Sequence, residues 1–98
     1  MAEVFVSNAA RSDLLSIDDY GVDRFGEEAA DALSAGFERV FARLAGFPRS
    51  APERPEYGKG IRCWMYLGYR VLHRIEGDTV VIVRVLHHSR DVGIALEE

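Results

Sequence analysis

IRCWMYLGYRVLHRIEGDTVVIVRVLHHSRD, residues 61–91, decides the fold. Ile61, Cys63 and Met65 alternate with Arg62, Trp64 and Tyr66. Beyond Leu67-Gly68, Tyr69, Val71, His73 and Ile75 alternate with Arg70, Leu72 and Arg74. Beyond Glu76-Gly77-Asp78, Val81, Val83 and Val85 alternate with Val80, Ile82, Arg84, Leu86 and His88. A period of two sends successive side chains to opposite faces, and short Gly-containing turns between three such runs predict an antiparallel meander.

Upstream the period changes. Val4 and Val6 alternate with Glu3, Phe5 and Ser7, a short first strand. Ser7 or Asn8 caps a helix whose apolar residues, Ala10, Leu14, Ile17 and Tyr20, recur at three- and four-residue spacing, and Gly21 is its expected end. After a break over residues 21–26, Ala30, Leu33, Phe37, Phe41 and Leu44 form the stripe of a second helix. Glu27, Glu28 and Asp31 open it, Arg39 and Arg43 close it as the helix dipole favours, and Gly46 with Pro48 stops it. Two helices on a short link predict an antiparallel hairpin. Residues 47–60 hold all three prolines with Gly58 and Gly60 and read as a loop. The expected order is strand, helix, helix, three strands, in one domain over residues 1–98.

A sheet covered by helices on one side buries one face. Parity assigns Ile61/Cys63/Met65, Tyr69/Val71/Ile75 and Val81/Val83/Val85 to the core. It leaves Arg62/Trp64/Tyr66, Arg70/Leu72/Arg74 and Ile82/Arg84/Leu86/His88 on an open face. A single arginine there is a solvated side chain; four arginines interleaved with Trp64, Tyr66 and aliphatic residues have the composition of a binding patch, best suited to an acidic, amphipathic protein segment, with RNA as the other candidate.

The formal net charge is −4, which argues against general adhesion to nucleic acid. The charge is uneven: residues 1–60 carry seven basic and eleven acidic side chains, residues 61–91 five arginines against Glu76, Asp78 and Asp91. Cys63 is the only cysteine, so neither an internal disulfide nor a multi-cysteine metal site is available, which fits a reducing cytoplasm. The first residues have no basic opening followed by an apolar run, and no segment has membrane-spanning length, so the expected location is cytoplasmic.

Catalytic signals are thin. His87 and His88, as strand neighbours, are expected on opposite faces and so cannot share a metal. Cys63, on the expected core face without a clear histidine, reads as a structural thiol. His88, Ser89 and Asp91 are the residue types of a hydrolytic triad, but so close in sequence they are not expected to reach its geometry. The carboxylates of residues 13–31 read as solvated helix faces. No catalytic set, metal or cofactor is implied.

With this order of elements, RFG (24–26), GYR (68–70) and RVLHHSRD (84–91) together resemble the ParE branch of the RelE/ParE toxin superfamily, over nearly the whole chain to about Leu96. The resemblance implies an α+β fold, β-α-α-β-β-β, with a helical hairpin on a mostly antiparallel sheet. It also implies the toxin half of a bacterial type II toxin-antitoxin pair, in a hetero-oligomer with a ParD-like antitoxin whose C-terminal segment wraps it. ParE-like members are associated with poisoning DNA gyrase, which needs a protein-binding surface. RelE-like members instead cut messenger RNA on the ribosome. Arg70 and Arg90 match arginine positions of those ribonucleases, but Ile61 and Cys63 stand where they carry lysines and Leu96 where they place a tyrosine. The preferred expectation is a gyrase-directed toxin, with Arg70, Arg84, His87, His88, Arg90 and Asp91 toward the target and Arg62, Trp64, Tyr66, Leu72 and Arg74 toward the antitoxin. The alternatives are a ribosome-dependent ribonuclease and an inactive partner kept for the antitoxin.

Overall fold

A computed structural model describes residues 1–98. The chain forms β1 (Glu3–Val6), α1 (Asn8–Phe25), α2 (Glu27–Gly46), a 3-10 turn (Pro55–Tyr57), β2 (Arg62–Tyr66), β3 (Tyr69–Glu76), β4 (Thr79–His87) and a short α3 (Val92–Glu97). The strands lie in the order β1-β4-β3-β2; β2, β3 and β4 form the expected antiparallel meander, and β1 adds to β4 in parallel. Helices α1 and α2 cover one face. The helical hairpin on a mostly antiparallel sheet is therefore as the sequence predicts; α3 was not anticipated.

Ser7 caps α1, its Oγ accepting the Ala10 N–H at 3.0 Å. The helix does not stop at Gly21. A Cβ at that position would come within 3.3 Å of the Ala30 Cβ, so the glycine serves close approach of the two helices, and α1 runs on to Phe25. The stop is Gly26, whose φ of 88° is the left-handed region that glycine enters without penalty; its N–H bonds the Val22 carbonyl at 3.0 Å.

The sheet faces depart from the parity expectation in β2 and in the first half of β4. In β2, Trp64 and Tyr66 pack toward the helices, while Ile61 and Cys63 lie on the opposite face. Tyr66 rests over Gly36 of α2, where any Cβ would overlap its hydroxyl. In β4, Leu72 pairs with Arg84 but the next residue, His73, pairs with Ile82, so Val83 is an extra residue. This bulge resets the alternation. Val80, Ile82 and Val85 all face the helices, in a core with Phe37, Val40, Phe41, Leu44 and Val71. A second, smaller core of Ile61, Cys63, Leu72, Leu86, Val92 and Ala95 occupies the other face, closed by α3. The expected open arginine face is thus partly a core.

Arg84 shows how α3 is held. Parallel pairing with β1 ends at Ile82, leaving the β4 edge open, and side chains of the α1 cap and of α1 itself complete it: Ser7 Oγ donates to the Val83 carbonyl at 2.9 Å and Asp13 accepts the Val85 N–H at 2.9 Å. Asp13 also receives Arg84 Nε and a terminal guanidinium nitrogen, both at 2.8 Å, while the other terminal nitrogen donates to the Ala95 carbonyl of α3 at 2.5 Å. Arg84 is 8% exposed. The Asp13 hydrogen bonds raise its pKa further, so the charge is permanent.

Candidate partner-binding surface

The β2–β3 turn has two residues, Leu67 and Gly68, with φ of 46° and 83°. Positive φ at both positions is the backbone whose twist suits a tight hairpin, normally built from Asn and Gly. Leucine is a poor occupant. Its Cβ crowds the following carbonyl, and the side chain is 72% exposed, so no burial offsets the strain. Gly68 holds the other end of the sheet: its carbonyl accepts the His88 N–H at 2.8 Å as the chain leaves β4.

Around that turn lies an open groove of about 720 Å³ between the second half of α1 and the exit of β4. Ile17, Tyr20, Phe25, Leu67 and Tyr69 give it apolar walls, and His87, Ser89 and Arg90 a polar end. Tyr20, Phe25 and Leu67 are all exposed, and the Arg24 guanidinium sits 5.1 Å from the centre of the Tyr20 ring. Edge-to-face contacts link Phe37 to Tyr69 and Tyr69 to His87, with centroids 5.5 and 5.4 Å apart, anchoring the groove to the core.

Strand pairing ends at His87, so the alternation argument for the two histidines fails: their rings lie side by side, 4.3 Å between centroids. His87 Nδ1 accepts from Ser89, with Oγ at 2.8 Å and the backbone N–H at 3.3 Å. That arrangement places the ring proton on Nε2 in neutral His87. Ser89 therefore meets His87, a pair outside the His88, Ser89 and Asp91 set weighed from the sequence, and no carboxylate orients it. Asp91 accepts the Ile94 N–H at 3.0 Å and caps α3.

Of the residues expected toward a target, Arg70, His87, His88 and Arg90 gather here. Arg70 donates to the His88 carbonyl at 2.7 Å, and Arg90 pairs with Glu98 at 2.7 Å. Arg84 and Asp91 are occupied with holding α3. The set expected toward an antitoxin is split. Trp64 and Tyr66 are half-buried beneath α2, with Arg43 5.0 Å over the Trp64 ring; Arg62 donates to the Ala51 carbonyl at 2.6 Å; Leu72 is fully buried; and Arg74 pairs with Glu76 at 2.8 Å. Sequence reasoning missed the α1 wall, Ile17, Tyr20 and Phe25, and the strained Leu67. The signal for them was Phe25, an apolar side chain past the expected helix end and in line with the Ile17 and Tyr20 stripe, and a leucine before glycine in a two-residue turn.

A family model described as the ParE toxin of the type II toxin-antitoxin system parDE matches residues 4–92. The chain belongs to this toxin family. It is 38% identical over 71 residues to Toxin ParE3 of Caulobacter vibrioides, covering 72% of this chain and 71% of that protein. Among solved structures it is similar to a chain of the RelBE2 toxin-antitoxin complex of Mycobacterium tuberculosis, with 30% identity, a TM-score of 0.64, and 88% of this chain and 96% of that one covered. A chain of the chromosomal ParDE system of P. aeruginosa shares the fold at a TM-score of 0.78 and 21% identity, with 89% and 96% covered. For this ParE-family toxin, the three positions where RNA-cleaving relatives are expected to carry lysines and a tyrosine are now placed. Ile61 and Cys63 are buried beneath α3, and Leu96 of α3 packs against them. Burial pushes the Cys63 thiol pKa up, which keeps it neutral and unreactive.

Proposed function

We propose that this toxin arrests bacterial growth by poisoning DNA gyrase in the cytoplasm, acting as one domain over residues 1–98, and that a ParD-like antitoxin neutralises it by forming a hetero-oligomer. The observation that carries this reading is the apolar core at Ile61 and Cys63, with the partly buried Leu96 packed against it. Cleavage of RNA by attack of the 2′-hydroxyl needs groups that move protons and offset phosphate charge, and aliphatic side chains and a neutral thiol at those positions supply neither. What the surface offers is a groove with aromatic and aliphatic walls and a polar end at His87, Ser89 and Arg90, flanked by Arg70 where it bonds the His88 carbonyl, the anatomy of a protein-binding site. The target therefore binds at the β4 exit, and His87 belongs to the same surface.

A second reading has one observation in its favour. His87 Nδ1 lies within hydrogen-bond reach of Ser89 Oγ beside Arg70 and Arg90, so a base and cations do stand together. Induction of the toxin without antitoxin separates the two. Arrest with a DNA-damage response supports gyrase as the target; arrest with rapid loss of messenger RNA and intact DNA supports the ribonuclease; unimpaired growth leaves only the inactive antitoxin partner.

A further inference from the structure

The sheet order leaves β2 at an edge, and only half of that edge is covered. Residues 52–54 run antiparallel along its first half, with Arg54 N–H bonded to the Ile61 carbonyl at 2.7 Å and Cys63 N–H to the Pro52 carbonyl at 3.2 Å. Hydrogen bonding alternates along a strand: since Cys63 N–H points outward, so do the Cys63 carbonyl and both backbone groups of Met65. No segment of the chain meets them. Edges are commonly blunted by lysine, proline or a bulge. Here residues 63–67 are Cys-Trp-Met-Tyr-Leu, and Met65 is 51% exposed.

We propose that this free half-edge receives an extended, acidic segment of the antitoxin as an added strand. The inference rests on the antitoxin pairing proposed above and gives it a place. Alternate side chains of the added strand would lie on the exposed ring of Phe47 and the uncovered part of the half-buried Trp64 ring, on the helix side, and beside Met65 on the other. Charge selects the occupant. Between Tyr57 and Ile75 the chain has no carboxylate, and Arg43 and Arg70, the latter the cross-strand neighbour of Met65, stand on either side of the edge. A second copy pairing edge to edge would set these arginines against their own kind, whereas an acidic segment meets them with opposite charge.

Met65→Pro tests this without touching β3, because it removes only an outward N–H, and proline is tolerated on an open edge. Its melting temperature should match that of the wild type. Affinity for the cognate ParD-like antitoxin, measured by calorimetry, should fall about tenfold or more, the equivalent of at least one backbone hydrogen bond. In the wild type, amide exchange followed by NMR should show the Met65 N–H exchanging fast in the free toxin and slowly in the complex. A Met65 amide that stays fast in a complex of full affinity overturns the proposal, whatever the variant does. A free toxin that is dimeric and becomes monomeric on Met65→Pro overturns it in favour of a second copy as occupant. An antitoxin that binds neither protein overturns the pairing itself along with this inference.

Discussion

Leu67→Gly should make the toxin more stable and worse at its task. The leucine sits at φ 46°. An L-residue in that region costs about 1–2 kcal/mol, from which the greater freedom of glycine in the unfolded chain subtracts about 0.5–1 kcal/mol. The expected gain is about 0.5–1 kcal/mol. For a chain of this size that raises Tm by roughly 4 °C in a calorimetric scan. Binding should move the other way. The side chain is 72% exposed on the groove wall, so a partner that covers it gains about 1.5–3 kcal/mol from its burial, and its loss weakens the complex about ten- to a hundredfold. Growth arrest on induction should weaken in parallel if the groove serves the target, and antitoxin affinity if it serves the antitoxin. A Leu67→Gly protein that is less stable refutes the strain argument, and one with unchanged toxicity and unchanged antitoxin affinity refutes the groove.

Asp13→Ala removes a carboxylate that accepts two Arg84 bonds and the Val85 N–H, leaving a buried guanidinium whose remaining opposite charge is the exposed Glu98 carboxylate at 3.7 Å; urea unfolding should show a loss of about 3 kcal/mol, much of it recovered when Arg84→Met is added. His73 is fully buried, its Nδ1 bonded to the Val71 carbonyl at 2.9 Å and its Nε2 without a partner, and burial lowers its pKa below 6.5. Its folded pKa being depressed, the unfolded chain binds the proton first: stability from this residue is complete above about pH 6.5 and declines as pH falls toward the folded value, and His73→Leu should flatten that part of the pH profile in urea titrations. Gly36→Ala should lose about 1–2 kcal/mol despite the better helix propensity of alanine, because Tyr66 must swing off α2 and leave its edge contact with Phe37; in a Tyr66→Ala background the same change should be neutral or stabilising.

The parts of the fold legible in the sequence were those with contrast between neighbours. The stripe of α2, its charged ends, and the turns at Leu67-Gly68 and Gly77 all stand out against their flanks, and the resemblance of GYR and RVLHHSRD to the toxin family pointed to the same fold. The faces of the sheet were not legible for two physical reasons. β2 is apolar on both sides, with Ile61, Cys63 and Met65 against Trp64 and Tyr66, so alternation shows which residues share a face without saying which face meets the helices. Gly36, the gap that admits Tyr66, becomes a signal only once α2 is known to cross that strand. In β4 the extra residue Val83 leaves no mark in a run of Val, Ile and Leu, yet it offsets the alternation, so that parity shared with Val85 puts Val80 and Ile82 on the wrong face. The closing helix did leave a trace. Asp91 followed three residues later by Ile94, with Val92, Ala95 and Leu96 at helical spacing, is a capped amphipathic turn, and it explains why Leu72 and Arg84 are not available to a partner.

The most direct measurement is gyrase-dependent supercoiling and cleavage of plasmid DNA in vitro with the purified toxin. The account predicts that cleaved plasmid accumulates with toxin concentration, that antitoxin reverses it, and that Arg70→Ala with His88→Ala abolishes it without lowering Tm. Normal supercoiling and intact plasmid at excess toxin would contradict it and move the target to ribosome-bound messenger RNA, with Arg70, Arg90, His87 and Ser89 as the residues to test.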